Sequence, residues 1–71
     1  MNAIELAQVL VRGTLEAKKL LKDAAAFYDL SESVVIKIAY GAPFALSSLI
    51  KVLDAHGYEL TAELKEEHDE T

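Results

Sequence analysis

With 71 residues the chain holds one domain at most, and a chain this short buries a small share of its surface. Its apolar residues are nonetheless 52% of the total, an excess that points to association with a second copy or a larger partner. A net charge of −5, no cysteine, no basic leader after Met1 and no apolar run near the roughly 18 residues of a membrane span argue against a secreted disulfide scaffold and a membrane protein, and favour the cytoplasm.

Asn2 is placed to cap a first helix over Ala3 to Arg12, its side-chain oxygen taking free amide protons of the first turn. Ile4, Leu6, Ala7, Val9, Leu10 and Val11 make that helix apolar around much of its circumference, so it must be buried. Gly13 and Thr14 then read as a terminating glycine followed by a new cap. A second helical stretch starts at Leu15, with Leu20, Leu21, Ala24, Ala25 and Tyr28 as its apolar stripe. Either Asp23 caps a break within it or one helix runs to Tyr28. Asp29-Leu30-Ser31 is a turn, and Ser31 caps a helix from Glu32 to Ala39 or Tyr40 that Gly41 stops. After the Ala42-Pro43-Phe44 loop, Ser47 is the candidate cap of a last helix reaching His56, with Gly57 at its end.

Beyond Gly57 the period shortens to two. Tyr58, Leu60, Ala62 and Leu64 alternate with Glu59, Thr61, Glu63 and Lys65, which predicts a strand over 58–64; a helix over Thr61 to His68 is the competing reading. A lone strand needs a partner, and the same strand of another copy would supply it, giving a homodimer. Glu63, Glu66, Glu67, Asp69 and Glu70 face only Lys65 in the last eleven residues, so 65–71 reads as an acidic, disordered tail. The first sixty residues are nearly balanced, with six basic and seven acidic groups.

Arg12, Lys18, Lys19 and Lys22 form the one basic stretch. On a continuous helix Lys18, Lys19 and Lys22 share nearly one face, able to meet phosphate or an acidic protein, although a solvated face is the more ordinary role. His56 and His68 lack neighbours at metal-ligand spacing. Ser31, Ser33, Ser47 and Ser48 read as caps and loop residues, and the three glycines make no phosphate loop. The expectation is therefore a non-enzymatic chain with no metal and no cofactor.

The stretch Ala24-Ala25-Ala26-Phe27-Tyr28-Asp29-Leu30-Ser31-Glu32-Ser33-Val34-Val35-Ile36-Lys37-Ile38-Ala39-Tyr40-Gly41 resembles the helix-turn-helix of the Cro and phage-repressor class. Ala25, Leu30, Ser31, Val35, Lys37, Ile38 and Gly41 fall at matching positions, while Asp29 stands where glycine is usual. The run from Leu46 to Leu60 looks like the closing helix and strand of addiction-module antidotes, so the likeness covers residues 24–64. It implies a mainly α domain over 1–64, four to five helices of helix-turn-helix type with the 58–64 strand used for dimerisation. It also implies that Val35 and Ile38 turn inward, leaving Glu32, Ser33, Val34, Ile36, Lys37 and Tyr40 on the recognition face.

That face is unusual for a DNA reader, which presents Arg, Lys, Asn or Gln to base edges and phosphates. Here Lys37 is the one cation, Glu32 repels phosphate, and Val34, Ile36 and Tyr40 form an apolar patch of the kind that marks a protein interface, unless they bury against the first helix. The resemblance implies an antitoxin-like or phage-type regulator that binds a protein partner (a toxin, a repressor or a nucleic-acid-binding complex), with operator DNA as a second ligand. The alternative is an acidic inhibitor of the antirepressor or anti-CRISPR kind that binds no DNA. Candidate contact residues are the six of the recognition face together with Lys18, Lys19 and Lys22.

Overall fold

The computed structural model describes residues 1–60. They form four helices: α1 (Ala3–Lys18), α2 (Leu21–Tyr28), α3 (Glu32–Tyr40) and α4 (Leu46–Ala55). α1 packs against each of the other three, and α2 also packs on α3 and α4. The core between them is built from Ala7 and Val11 of α1, Ala24, Ala25 and Tyr28 of α2, Val35, Ile38 and Ala39 of α3, and Leu49, Val52 and Leu53 of α4. Each set follows the three-and-four spacing of one helix face, and burying one such valine or isoleucine contributes about 1.5–3 kcal/mol.

α1 begins where its cap predicts. Asn2 Oδ1 accepts from the Glu5 amide at 2.8 Å, and a Glu5 carboxylate oxygen accepts from the Asn2 amide at 3.0 Å. It does not end at Arg12. The helix runs through Gly13 and Thr14 to Lys18, and Thr14 is a buried helix residue rather than a cap. The reason is tertiary: the Thr14 hydroxyl is hydrogen-bonded to Tyr28 across the core, and an interior glycine costs only about 1 kcal/mol. The break comes instead at Lys19 (φ 70°), whose amide closes on Leu15 O, and Asp23 lies inside α2 rather than capping it.

α2, α3 and α4 all end with the same pair of backbone bonds, one amide reaching back five residues and the one before it reaching back three. The left-handed residue this needs is Gly41 after α3 and Gly57 after α4, the two stops expected. After α2 it is Asp29 (φ 58°), a non-glycine held in place by Lys51, whose Nζ donates to Asp29 O at 3.0 Å and to its carboxylate at 3.3 Å.

α4 starts one residue earlier than its expected cap. Ala45 is the extended residue before it, with no side-chain cap, and Ser48 is buried. Starting at Leu46 puts Leu49, Val52 and Leu53 on one inward face. Residues 58–60 form no strand. The rest of the expected strand, 61–64, and the acidic tail lie outside the described residues.

Candidate functional site

α3 is fixed at both ends and along one side. The Ser31 hydroxyl accepts from the Val34 amide at 3.3 Å, so the helix starts where the sequence places it. Val35, Ile38 and Ala39 turn into the core. At the C-terminal end Arg12 Nε donates to Ala39 O at 2.7 Å and Gln8 Nε2 to the same oxygen at 3.5 Å, so two α1 side chains occupy a carbonyl that the helix end leaves free.

Five of the six residues expected on the recognition face are exposed: Glu32, Ser33, Ile36, Lys37 and Tyr40. Ile36 is 39% and Tyr40 71% exposed. Val34 departs from the expectation. It is half-buried and packs against the core, because it lies one residue from Val35 and four from Ile38 on the inward side. Burial against α1 also does not describe the patch: Tyr40 stays exposed, with the Arg12 guanidinium 5.8 Å from its ring centroid. The outward face of α3 thus presents an isoleucine and a tyrosine flanked by one acid and one cation.

The lysines do not make one helical face. Lys18 ends α1, Lys19 is the left-handed residue between helices, and Lys22 sits in the first turn of α2. Lys18 is exposed, and its Nζ lies 5.0 Å from the centroid of the Phe27 ring, a cation–π contact. The chain reversal at Lys19 and Leu20 is what divides them.

Two open hollows flank the C-terminal end of α3. One, of about 730 Å³, lies beside Arg12, Gly13 and Tyr40; the other, of about 360 Å³, is apolar and lies beside Gly41, Pro43 and Phe44.

A third feature has no local signal in the sequence. The Tyr28 hydroxyl, on a side chain only 2% exposed, lies 2.7 Å from Thr14 Oγ1, 2.6 Å from His56 Nε2 and 3.4 Å from Leu10 O. This node fastens α1, α2 and the end of α4 together. With the imidazole proton on Nδ1, Tyr28 donates to His56 and Thr14 donates to Tyr28; with it on Nε2, His56 donates to Tyr28 and Tyr28 donates to Thr14 or to Leu10 O. Burial raises the Tyr28 pKa, partly offset by the Thr14 hydrogen bond, and burial lowers that of His56. In both groups burial favours the neutral form. Fourteen and twenty-eight residues separate the partners in the chain, so only folding brings them together.

Among the described residues no group of three or more His, Cys, Asp or Glu side chains is placed to hold a metal ion, and no helix is long and apolar enough to cross a membrane. Comparison of the chain with protein-family models, with curated proteins and with solved structures found no match.

Proposed function

We propose that the chain is a small, non-enzymatic, cytoplasmic regulator that uses α2 and α3 as a helix-turn-helix scaffold and acts by binding a protein partner through the outward face of α3. The observation that carries this reading is the pairing of Ile36 and Tyr40, both exposed, on a helix whose opposite side is locked into the core. Exposed isoleucine and tyrosine on a rigid helix are what a protein partner buries. A nucleic-acid reader would need cations there, and Lys37 alone faces Glu32. The net charge of −5 favours a basic partner, such as a nucleic-acid-binding protein or a toxin.

The test is affinity capture from host cells with wild type, Ile36→Asp and Ile50→Asp. Ile50 is exposed on α4 and serves as the control. The expected result is a partner retained by wild type and Ile50→Asp and lost with Ile36→Asp. A partner retained equally by all three contradicts the reading. A parallel titration with duplex DNA at several salt concentrations separates the regulator that also binds an operator from the inhibitor that does not. Salt-dependent binding lost in Lys37→Ala assigns DNA to the same face.

A further inference from the structure

Gly13 sits inside a 16-residue helix, with no positive φ and with nothing within 4 Å of a Cβ placed on it. An interior glycine costs a helix about 1 kcal/mol relative to alanine. Nothing among the described residues requires this one to be glycine. Around it lies the outer face of α1: Val9 is 56% exposed, and Arg12 and Glu16 are exposed. Val9, Gly13 and Glu16 follow one another at spacings of four and three, the seam of a paired helix. The open hollow of about 730 Å³ runs along this face, with Tyr40 at its rim.

Arg12 and Glu16 give the face both signs of charge one turn apart. The one ion pair among the described residues is Lys51 with Asp29, so neither Arg12 nor Glu16 is paired within the described chain. Arg12 Nε is taken by Ala39 O, and among the described residues its terminal nitrogens have no hydrogen bond.

We propose that this face is the dimer interface: a second copy of the chain packs α1 antiparallel against α1, with the helices crossing at Gly13. A two-fold interface puts the same patch on both sides, so it must be complementary to itself. Antiparallel pairing about Gly13 brings Arg12 of each copy toward Glu16 of the other, satisfying both charges twice. A uniformly acidic partner would leave Glu16 opposed by like charge, and a uniformly basic one would do so to Arg12. Two glycines at the crossing let the backbones approach closely, and Val9 with the rim of Tyr40 supplies apolar area beside them. The proposal shares Tyr40 with the α3 reading but is carried by Arg12, Gly13 and Glu16, which lie outside α3.

Sedimentation equilibrium across a wide concentration range tests it. Wild type should sediment as a monomer–dimer equilibrium. Gly13→Gln should weaken the dimer by about tenfold or more, because two inserted side chains meet at the crossing, while raising the thermal midpoint of the monomer. Glu16→Arg and Arg12→Glu should each remain monomeric, because like charges then face each other, and a mixture of the two should form a one-to-one dimer. Circular dichroism confirms that each variant is folded. A wild type that stays monomeric, a dimer indifferent to Gly13→Gln, or a mixture that fails to associate overturns the proposal. Loss of the dimer with partner capture intact, or the reverse, separates this interface from the face of α3.

Discussion

Two regions of this chain reverse the ordinary distribution of polarity. Around Tyr28 three polar side chains are gathered inside, where Thr14 and Tyr28 are buried and His56 is partly so. On the outward side of α3, Ile36 and Tyr40 stand in the open. The inner node is satisfied, each hydroxyl within hydrogen-bond distance of another group, and it ties α1, α2 and the end of α4 together. The outer face is unsatisfied in the apolar sense and constrains nothing in its own fold. A chain with so small a core thus gathers polar groups inside and leaves apolar ones exposed on α3.

Substitutions should separate the regions by size of effect. Tyr28→Ala removes both the ring and the hub of the node, and should cost about 3–5 kcal/mol in urea unfolding, most of what a domain this small has. Tyr28→Phe keeps the ring and leaves the buried Thr14 hydroxyl only its longer contact with His56 Nε2 at 3.4 Å, for a loss of about 1–3 kcal/mol; Thr14→Val in the same chain should recover part of it. Recovery that fails to appear would mean the two hydroxyls are not coupled.

The node should also show in the dependence of stability on pH. His56 is lowered below its ordinary value of about 6.5, so its contribution is present above that pH and is lost as the pH falls through the lowered value. Tyr28 is raised above its ordinary value of about 10, so its contribution is present below that pH and is lost as the pH rises through the raised value. The difference in urea midpoint between wild type and His56→Gln should therefore be constant above about pH 6.5 and shrink below it.

Smaller effects lie outside the node. Lys19→Gly relieves a left-handed lysine whose side chain makes no hydrogen bond among the described residues, and should raise stability by about 0.5–1 kcal/mol. Ile36→Asp should change stability least, within about 0.5 kcal/mol, while removing partner binding. A large stability loss at Ile36 would erase the contrast between the regions.

The local half of the architecture is legible in the residues. Asn2 and Ser31 cap as their hydroxyl or amide oxygens allow, Gly41 and Gly57 stop their helices, and the spacing of Val35 and Ile38 turns them inward. Errors arise where a tertiary contact outweighs a local preference. Gly13-Thr14 has the composition of a stop and a start, yet Thr14 is held in the helix by its bond to Tyr28. The true break falls on Lys19 and Leu20, neither of which advertises a helix end. A continuous helix would carry the three lysines on one face, whereas the break leaves Lys18 on α1, Lys19 between the helices and Lys22 on α2. Val34 is half-buried because it lies beside Val35 and one turn from Ile38, an angular position that its place in a matched motif does not convey. The Thr14–Tyr28–His56 node joins residues from three separate segments, and no window of sequence contains it.

Since the chain has no cysteine, single thiols can report which side of α3 faces water. The most direct test compares the native-state reaction rate of an aqueous thiol reagent with Val35→Cys and with Ile36→Cys, adjacent positions on opposite sides of the helix. The expected result is rapid modification of Ile36→Cys and protection of Val35→Cys until denaturant unfolds the chain. Equal rates, or a faster reaction at Val35→Cys, would contradict the inward core and the outward partner surface together.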